Sequence, residues 1–238
     1  MKRAILQALQ AARADKRPVA LVTNLQTGRQ ALLDGDEVAG ELTLGGVVLS
    51  RVERALAEDR SGTIEDTSLF VQVFNPPLRM IVVGAVHIAQ ALVPMAALAG
   101  YDVTVVDPRR AWATDARFPD VAPVTDWPDE ALEALAPDRR TAVVMLTHDP
   151  KLDDPALAVA LRSPAFYVGA LGSTRTHAKR LDRLRETGLE DAQLARIHGP
   201  IGLAIGAKSP AEIALAILAQ ATQVLHGVPP LVAARAAQ

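Results

Sequence analysis

The sequence predicts an α/β protein, with a smaller N-terminal α/β domain followed by a C-terminal domain built on a doubly wound parallel sheet. Two observations carry this prediction. From residue 80 onward, short apolar segments alternate with segments of helical periodicity. The first of them, residues 80–84, is apolar throughout, as expected for a strand buried on both faces. Ahead of it, Asn75-Pro76-Pro77 breaks the chain, so we expect two domains, residues 1–75 and 76–238.

The N-terminal domain shows both helical and strand periodicity. Ile5, Leu9 and Ala12 recur at helical spacing and predict an opening helix, which Pro18 ends. Further along, alternating apolar and polar residues predict strands at residues 19–23, 29–33 and 69–74. A second helix is expected over residues 47–58.

In the C-terminal domain, strands and helices are expected to follow one another in alternation. Strands are predicted at residues 80–84, 103–107, 121–124, 142–146 and 166–168. Helices are predicted at residues 88–99, 129–135, 155–161, 174–186, 191–197 and 210–225. Because parallel strands need crossover connections, this alternation favours a parallel sheet with helices on both faces.

The composition excludes several classes of function. A net charge of −2 over 238 residues gives no basic signature, and Asp182 interrupts the densest basic stretch, residues 175–185, so nucleic-acid binding is not expected. The chain has no cysteine, which excludes disulfides, thiolate metal sites, a cysteine nucleophile and carriage of sulfur as a persulfide. It also lacks a signal-peptide core and any apolar stretch of about 18 residues, so we expect a cytoplasmic protein without a membrane span. The apolar, Ala-rich composition suggests a homodimer.

A turn at Gly84 joins the first strand of the parallel sheet to its first helix. Gly84 and Ala89 match the outer positions of the G-x-G-x-x-G/A dinucleotide fingerprint, and Asp107 ends the next strand roughly 20 residues on, where an acid binds ribose. The middle glycine is replaced by Val86, whose branched side chain should crowd a pyrophosphate. The turn predicts a Rossmann-like domain with a phosphate-bearing ligand, for which NAD(P) is one candidate. Ligand contacts are expected here from Gly84, Ala85, Val86 and His87.

Polar and glycine residues collect where the other strands end, and ligands of open α/β sheets bind outside those ends. The segment of residues 169–175 contains glycines and opens a helix, so its backbone N–H groups and helix dipole predict a second anion site. For two of these residues a structural role is an open alternative to ligand binding: Ser173 can act only as a helix N-cap, and Asp107 can pair with Arg109. No catalytic residue is assigned, and no histidine pair has metal-ligand spacing. The candidate binding residues at these ends are Asp107, Arg109, His148, Asp149, Gly169, Gly172, Ser173, Arg175, Gly202 and Gly206.

These residues resemble the XdhC/CoxI family, the xanthine dehydrogenase accessory proteins. The resemblance covers nearly all of the C-terminal domain in order, and its most specific stretches are residues 167–173 and 200–207. It is looser in the N-terminal domain, where it rests on residues 19–33 and on Gly45-Gly46. The remaining matching stretches are residues 83–92, 100–109, 117–119, 147–149 and 210–214.

The resemblance implies a molybdenum cofactor chaperone that is not an enzyme. Such proteins bind the molybdenum cofactor, a molybdopterin with a phosphate tail, and protect it while a cysteine desulfurase adds its sulfido ligand. They then pass it to a molybdenum hydroxylase of the xanthine dehydrogenase type. For this chain, the resemblance implies that the phosphate binds at the Gly84 turn or at the loop of residues 169–173. It also implies that the pterin can hydrogen-bond to a carboxylate such as Asp107.

Three departures from the family pattern limit what carries over. Val86 replaces a glycine that many members have, which weakens a nucleotide ligand more than a pterin. Val47 follows Gly45-Gly46 where members often have a cysteine, so sulfur relay by this chain is excluded. Gln220 stands where a glutamate is expected and is given no role.

Two other functions compete with the chaperone. An NAD(P)-dependent oxidoreductase is the alternative, and Val86 and the lack of a recognisable proton donor count against it. A purely structural assembly partner of the hydroxylase would not need loops that bind anions, and the glycine-containing turns count against that function.

Overall fold

The computed structural model describes residues 2–229, and the chain divides between Pro76 and Pro77 into two compact units. Each unit contains one five-stranded sheet. Within residues 2–229, no helix has the length and apolar character needed to cross a bilayer. The same residues include no group of three or more His, Cys, Asp or Glu side chains placed to hold a metal ion. The assignment of residues 1–75 and 76–238 as two domains stays a prediction.

The N-terminal unit is an antiparallel sheet with a helix on each face. Its elements are α1 (Arg3–Ala14), β1 (Val19–Asn24), β2 (Gln30–Asp34), β3 (Glu37–Gly40), α2 (Gly46–Ala57), β4 (Gly62–Thr63) and β5 (Leu69–Phe74). The strand order is β3-β2-β1-β5-β4. Val19 and Leu21 of β1 pack with α1, whereas Ala20 and Val22 pack with α2, because successive side chains of a strand point to opposite faces.

The sequence pattern missed two strands of this sheet. Every side chain of β3 is exposed, so its residues show no alternation of apolar and polar positions. β4 has only two residues, Gly62 and Thr63, which are too few to form a pattern. The predicted strands that became β1, β2 and β5 are confirmed to within one residue at each end.

The C-terminal unit alternates strands and helices, as predicted. Its strands are β6 (Leu78–Val83), β7 (Tyr101–Val106), β8 (Thr141–Met145), β9 (Tyr167–Ala170) and β10 (Ile197–His198). Its helices are α3 (His87–Leu98), α4 (Pro128–Leu135), α5 (Pro150–Arg162), α6 (Thr174–Glu186), α7 (Asp191–Leu194) and α8 (Pro210–Leu225). All pairings in the sheet are parallel, in the order β10-β9-β8-β6-β7.

Helices cover both faces of the parallel sheet. One face packs against α4, α5, α6 and α7 through residues such as Leu132, Leu157 and Leu184. The other packs against α3 and α8 through residues such as Leu92 and Ile217. The chain runs from β6 to β7 on one side and then continues with β8 on the other, so the direction of winding reverses between β6 and β8. Open α/β sheets bind ligands outside the carboxyl ends of the strands at such a switch point.

Two predicted elements of this unit are confirmed only in part. The expected strand at residues 121–124 is reduced to one parallel bridge between Val106 and Val124, beside the edge strand β7. The helix expected over residues 191–197 ends at Leu194, and Ile197 and His198 instead pair with β9 as β10. In both places the sheet supplies the backbone hydrogen bonds, a long-range effect that local periodicity does not record.

Candidate functional site

Two adjoining cavities lie where the strands of the C-terminal sheet end. The first, which we call the switch-point cavity, has a volume of about 390 Å³ and is lined by Val86, Arg109 and residues 146–150. The second, the basic cavity, has a volume of about 190 Å³. His148 and Pro150 line both cavities, so the two are neighbours. The principal lining residues of the basic cavity are His148, Asp153, Arg175, Lys179, Arg180 and Arg183.

The turn after β6 approaches the end of β8 too closely for any residue but glycine. Gly84 has a φ of +109°, and a Cβ added there would lie 2.8 Å from Thr147 Cγ2 and 3.2 Å from the Thr147 amide nitrogen. The turn is held in place by the Gly84 amide, which donates to the Val106 carbonyl, and by the Leu146 amide, which donates to the Val83 carbonyl. Gly84 therefore brings the two strand ends together at the switch point.

Asp107 is buried behind this turn and braces it. Its Oδ2 accepts hydrogen bonds from the Ala85 amide (2.7 Å) and Arg109 Nη2 (2.7 Å), and its Oδ1 accepts from the amide and Nε of Arg109 (both 2.9 Å). Burial opposes ionisation of Asp107, but these bonds outweigh it and lower the pKa of the carboxyl. The pairing of Asp107 with Arg109, one of the alternatives from the sequence, is present. Each Asp107 oxygen already accepts two hydrogen bonds, which disfavours a further bond to a ligand. The ligand contact of Asp107 therefore stays a prediction.

Helix α3 opens beside the switch-point cavity without a side-chain cap. Its N-cap is Val86, and His87 is the first helical residue. Because no side chain within residues 2–229 accepts from the first-turn amides, they are available to an anion, and the helix dipole favours one there. Val86 itself lines the cavity, where its side chain takes space that a glycine would leave open.

Two exposed side chains that follow β8 line the cavities. Asp149 caps α5, with its Oδ1 accepting from the Lys151 amide (3.0 Å), and its carboxylate also lines the switch-point cavity. His148 precedes it and lines both cavities. Asp149, unlike Asp107, is exposed and carries an oxygen to which the structure assigns no hydrogen bond.

The basic cavity contains a buried arginine that its surroundings only partly satisfy. Arg180 is 2% exposed, and its Nη2 donates to the Leu171 carbonyl (2.9 Å) and to Asp153 Oδ2 (3.3 Å). Its Nε and Nη1 are buried and meet no acceptor among the described residues. Asp153 is also buried and accepts a hydrogen bond from Thr147 Oγ1. Burial raises the pKa of Asp153, with the Thr147 and Arg180 contacts acting in the opposite direction.

The predicted anion loop begins α6 next to this cavity. Ser173 is the N-cap, and its Oγ accepts from the Thr176 amide (3.2 Å), so the capping alternative from the sequence is also present. Gly172 has a φ of +146°, and a Cβ added there would lie 3.1 Å from Thr176 Cγ2 and 3.8 Å from Arg180 Nη1. Arg175 is the second residue of α6 and lines the basic cavity.

Three predicted glycines have packing contacts or a backbone conformation that accounts for them without a ligand. A Cβ at Gly169 would lie 2.5 Å from Ile201 Cδ1, and one at Gly202 would lie 3.1 Å from Ala216 Cβ. A Cβ at Gly206 would meet no described atom within 4 Å, but its φ of +80° favours glycine. Neither cavity is lined by these three glycines, so their part in binding stays a prediction.

Gln220, which was given no role from the sequence, anchors the loop that follows β10. Its Oε1 accepts from Tyr167 Oη (2.7 Å) and from the Gly202 amide (2.8 Å), and its Nε2 donates to the Gly202 carbonyl (3.2 Å). The Tyr167 ring also stacks on His198 with ring centroids 4.8 Å apart. Burial raises the pKa of the Tyr167 hydroxyl, which suits a structural donor rather than a base.

The structure thus brings four predicted residues, Val86, Arg109, His148 and Asp149, to the switch-point cavity, and places Arg175 with His148 in the basic one. Sequence reasoning assigned no ligand contact to Thr147, Asp153 or Arg180, although Thr147 lies in a stretch that carries the family resemblance. The sequence did contain a signal for Arg180. It stands four residues before the buried Leu184, which places it on the buried face of an otherwise polar helix.

Comparison with known proteins agrees with this architecture. Residues 80–221 match the family model described as the XdhC Rossmann domain. A xanthine dehydrogenase crystal structure from Bacillus halodurans superposes with a TM-score of 0.74 at 25% identity, covering 94% of this chain and 67% of that one.

Curated relatives share about a third of their aligned residues with this chain. The molybdenum cofactor insertion chaperone PaoD of Escherichia coli is 34% identical over 154 residues, 64% of this chain and 42% of its own. A Bacillus subtilis protein named as a probable subunit of xanthine dehydrogenase is 31% identical over 160 residues, 67% of this chain and 46% of its own. The uncharacterized Escherichia coli protein YqeB is 31% identical over 175 residues, 74% of this chain and 32% of its own. The chain spans less than half the length of each of these relatives.

Proposed function

Because this chain belongs to the XdhC family, we propose that it binds the molybdenum cofactor, protects it during sulfuration and passes it to a molybdenum hydroxylase of the xanthine dehydrogenase type. The name of PaoD, a molybdenum cofactor insertion chaperone, supports the chaperone role. The name of the Bacillus subtilis relative, which links it to xanthine dehydrogenase, supports the class of recipient. The cofactor is cargo in this proposal, and the chain is a maturation factor rather than an enzyme.

The observation that carries the proposal is the pair of adjoining cavities at the switch point. The switch-point cavity combines apolar walls from Val86 and Leu146 with the charged groups of Arg109 and Asp149. Such a lining suits a flat heterocycle with polar edges, of which a pterin is one. The open amides of α3 and the cations of the basic cavity suit the phosphate of the same ligand.

Each group would have a limited task in holding the cargo. Asp149 would accept hydrogen bonds from the pterin ring, and Arg109, held by Asp107, would form part of the cavity wall. Gly84 and Ala85 would set the shape of the turn, and His87 would present the α3 amides. The cargo supplies the molybdenum centre, and a cysteine desulfurase would supply its sulfur, because this chain contains no cysteine.

The geometry weighs against NAD(P) in two ways. Val86 occupies the position of the glycine that lets a pyrophosphate approach the backbone, and it lines the cavity. Asp107, which would be the ribose acceptor, already accepts two bonds on each oxygen. A dinucleotide bound in the usual way would therefore lose both its phosphate approach and its ribose partner.

Calorimetry on the intact chain tests the proposal. Molybdopterin and NADPH are titrated separately, and we expect saturable binding of molybdopterin and none of NADPH. Micromolar binding of NADPH with no heat from molybdopterin would overturn the proposal in favour of the oxidoreductase.

A further inference from the structure

Among the described residues, the guanidinium of Arg180 carries two of the four buried side-chain polar atoms that meet no hydrogen-bond partner. An arginine side chain carries five N–H donors, and only those on Nη2 find acceptors here, at the Leu171 carbonyl and Asp153. The Nε and Nη1 donors are buried without a partner. Buried donors are almost always hydrogen-bonded in folded proteins, so such a group indicates a partner that the chain itself does not provide.

The surroundings of Arg180 show what kind of partner would fit. Arg180 lines the basic cavity together with Arg175, Lys179 and Arg183, whereas the carboxylate that lines it is Asp153. Arg183 is held by Asp154, at 2.5 Å and 3.0 Å from its Nε and Nη2, which leaves Arg175 and Lys179 as the exposed cations. The cavity therefore carries excess positive charge.

The size and position of the basic cavity indicate which group of a ligand it can hold. About 190 Å³ is enough for a phosphate group with its waters but small for a fused ring with substituents. The first turn of α6 borders the cavity and adds the positive end of its dipole. The switch-point cavity adjoins it through His148 and Pro150, so one ligand can reach both.

We propose that the basic cavity binds the phosphate group of the ligand whose ring occupies the switch-point cavity, and that Arg180 is the residue that decides this binding. The Nε and Nη1 donors of Arg180 would bind the phosphate oxygens, with Arg175 and Lys179 adding charge from the rim. The identity of the ligand rests on the proposed function, but the oxyanion site does not. The pair with Asp153 would hold the guanidinium in orientation before the ligand arrives, which limits the entropy lost on binding.

The test is a double-mutant cycle, in which one change removes the Arg180 side chain and the other removes the phosphate of the ligand. Calorimetry compares molybdopterin, molybdopterin dephosphorylated with alkaline phosphatase, and inorganic phosphate, each with the wild-type chain and with Arg180→Met. Arg185→Met is the matched control, because it removes the same charge from the same helix at an exposed position outside the cavity. Asp153→Asn combined with Arg180→Met avoids leaving a carboxylate buried alone, and circular dichroism with thermal unfolding checks the fold of each variant.

We expect dephosphorylation to weaken molybdopterin binding to the wild type and to Arg185→Met by about ten- to hundredfold, the effect of charge-assisted hydrogen bonds. In folded Arg180→Met or in the double variant, dephosphorylation should change the affinity less than twofold, and inorganic phosphate should no longer bind. If the wild type binds molybdopterin and the variants keep the full effect of dephosphorylation, the inference is overturned while the proposed function stands. If the wild type binds inorganic phosphate through Arg180 but not molybdopterin, the site stands and the proposed function fails.

Discussion

Replacing Gly84 with alanine should destabilise the C-terminal unit by more than its backbone conformation alone explains. A φ of +109° costs an alanine roughly 1–2 kcal/mol. The added Cβ would also lie 2.8 Å from Thr147 Cγ2 and 3.3 Å from the Leu146 carbonyl carbon, and overpacking of this kind costs roughly 1–3 kcal/mol. Loss of glycine freedom in the unfolded chain returns roughly 0.4–1 kcal/mol. We expect a net loss of about 1–5 kcal/mol in the free energy of unfolding.

Gly100→Ala is the matched control for this variant. Gly100 also has a positive φ, +89°, but a Cβ there would meet no atom within 4 Å, so we expect a loss of only about 1 kcal/mol. Urea titration at 25 °C with tryptophan fluorescence measures both, because the two tryptophans, Trp112 and Trp127, lie in the C-terminal unit. Equal losses for the two variants would refute the reasoning that the turn is pressed against the end of β8.

Three further predictions follow from the same geometry. Gln220→Leu removes the acceptor of the buried Tyr167 hydroxyl and both bonds to Gly202, so urea titration should show a loss of about 2–4 kcal/mol; a loss under about 0.5 kcal/mol would contradict the anchoring role. Burial lowers the pKa of His198 below 6.5 in the folded chain, so the unfolded chain takes up the proton first and stability falls as the pH falls below 6.5. His198→Phe, which keeps an aromatic ring against Tyr167, should lose less stability than the wild type between pH 7.5 and pH 5.5, and an identical loss would exclude His198 as a source. Gly172→Val strains a φ of +146° and crowds Thr176 and the wall beside Arg180, so it should lower stability and, where circular dichroism shows a folded chain, weaken molybdopterin binding at least about tenfold; unchanged affinity would remove this loop from the site.

Much of the C-terminal fold could be predicted because its strands are buried on both faces and its helices carry one apolar face each. The strand predicted at residues 80–84 is present as Leu78–Val83, and the helix predicted at residues 174–186 is present as Thr174–Glu186, because their local patterns agree with their tertiary surroundings. The exposed strand Glu37–Gly40 and the two-residue strand Ile197–His198 could not be found in this way. Each is defined by its pairing partner rather than by its own pattern.

The candidate site was predictable where function depends on the end of a strand. Val86, Arg109, His148 and Asp149 follow strands, and the parallel sheet brings them to the same cavity. Arg180 could not be assigned in this way, because its role depends on burial and on Asp153, a partner distant in sequence. The bonds that Asp107 makes with Ala85 and Arg109 likewise appear only once the chain has folded; they make Asp107 a brace of the turn, and its ligand contact stays a prediction.

The location and identity of the ligand can be tested together through Trp112. Its ring lies 5.2 Å from the guanidinium carbon of Arg109, which lines the switch-point cavity. In a Trp127→Phe variant, Trp112 is the remaining tryptophan, and its fluorescence reports on that cavity. We predict that molybdopterin changes this fluorescence saturably, with one site per chain, and that NADPH does not. Unchanged fluorescence at molybdopterin concentrations that saturate the calorimetric signal, or a saturable change with NADPH alone, would contradict the account.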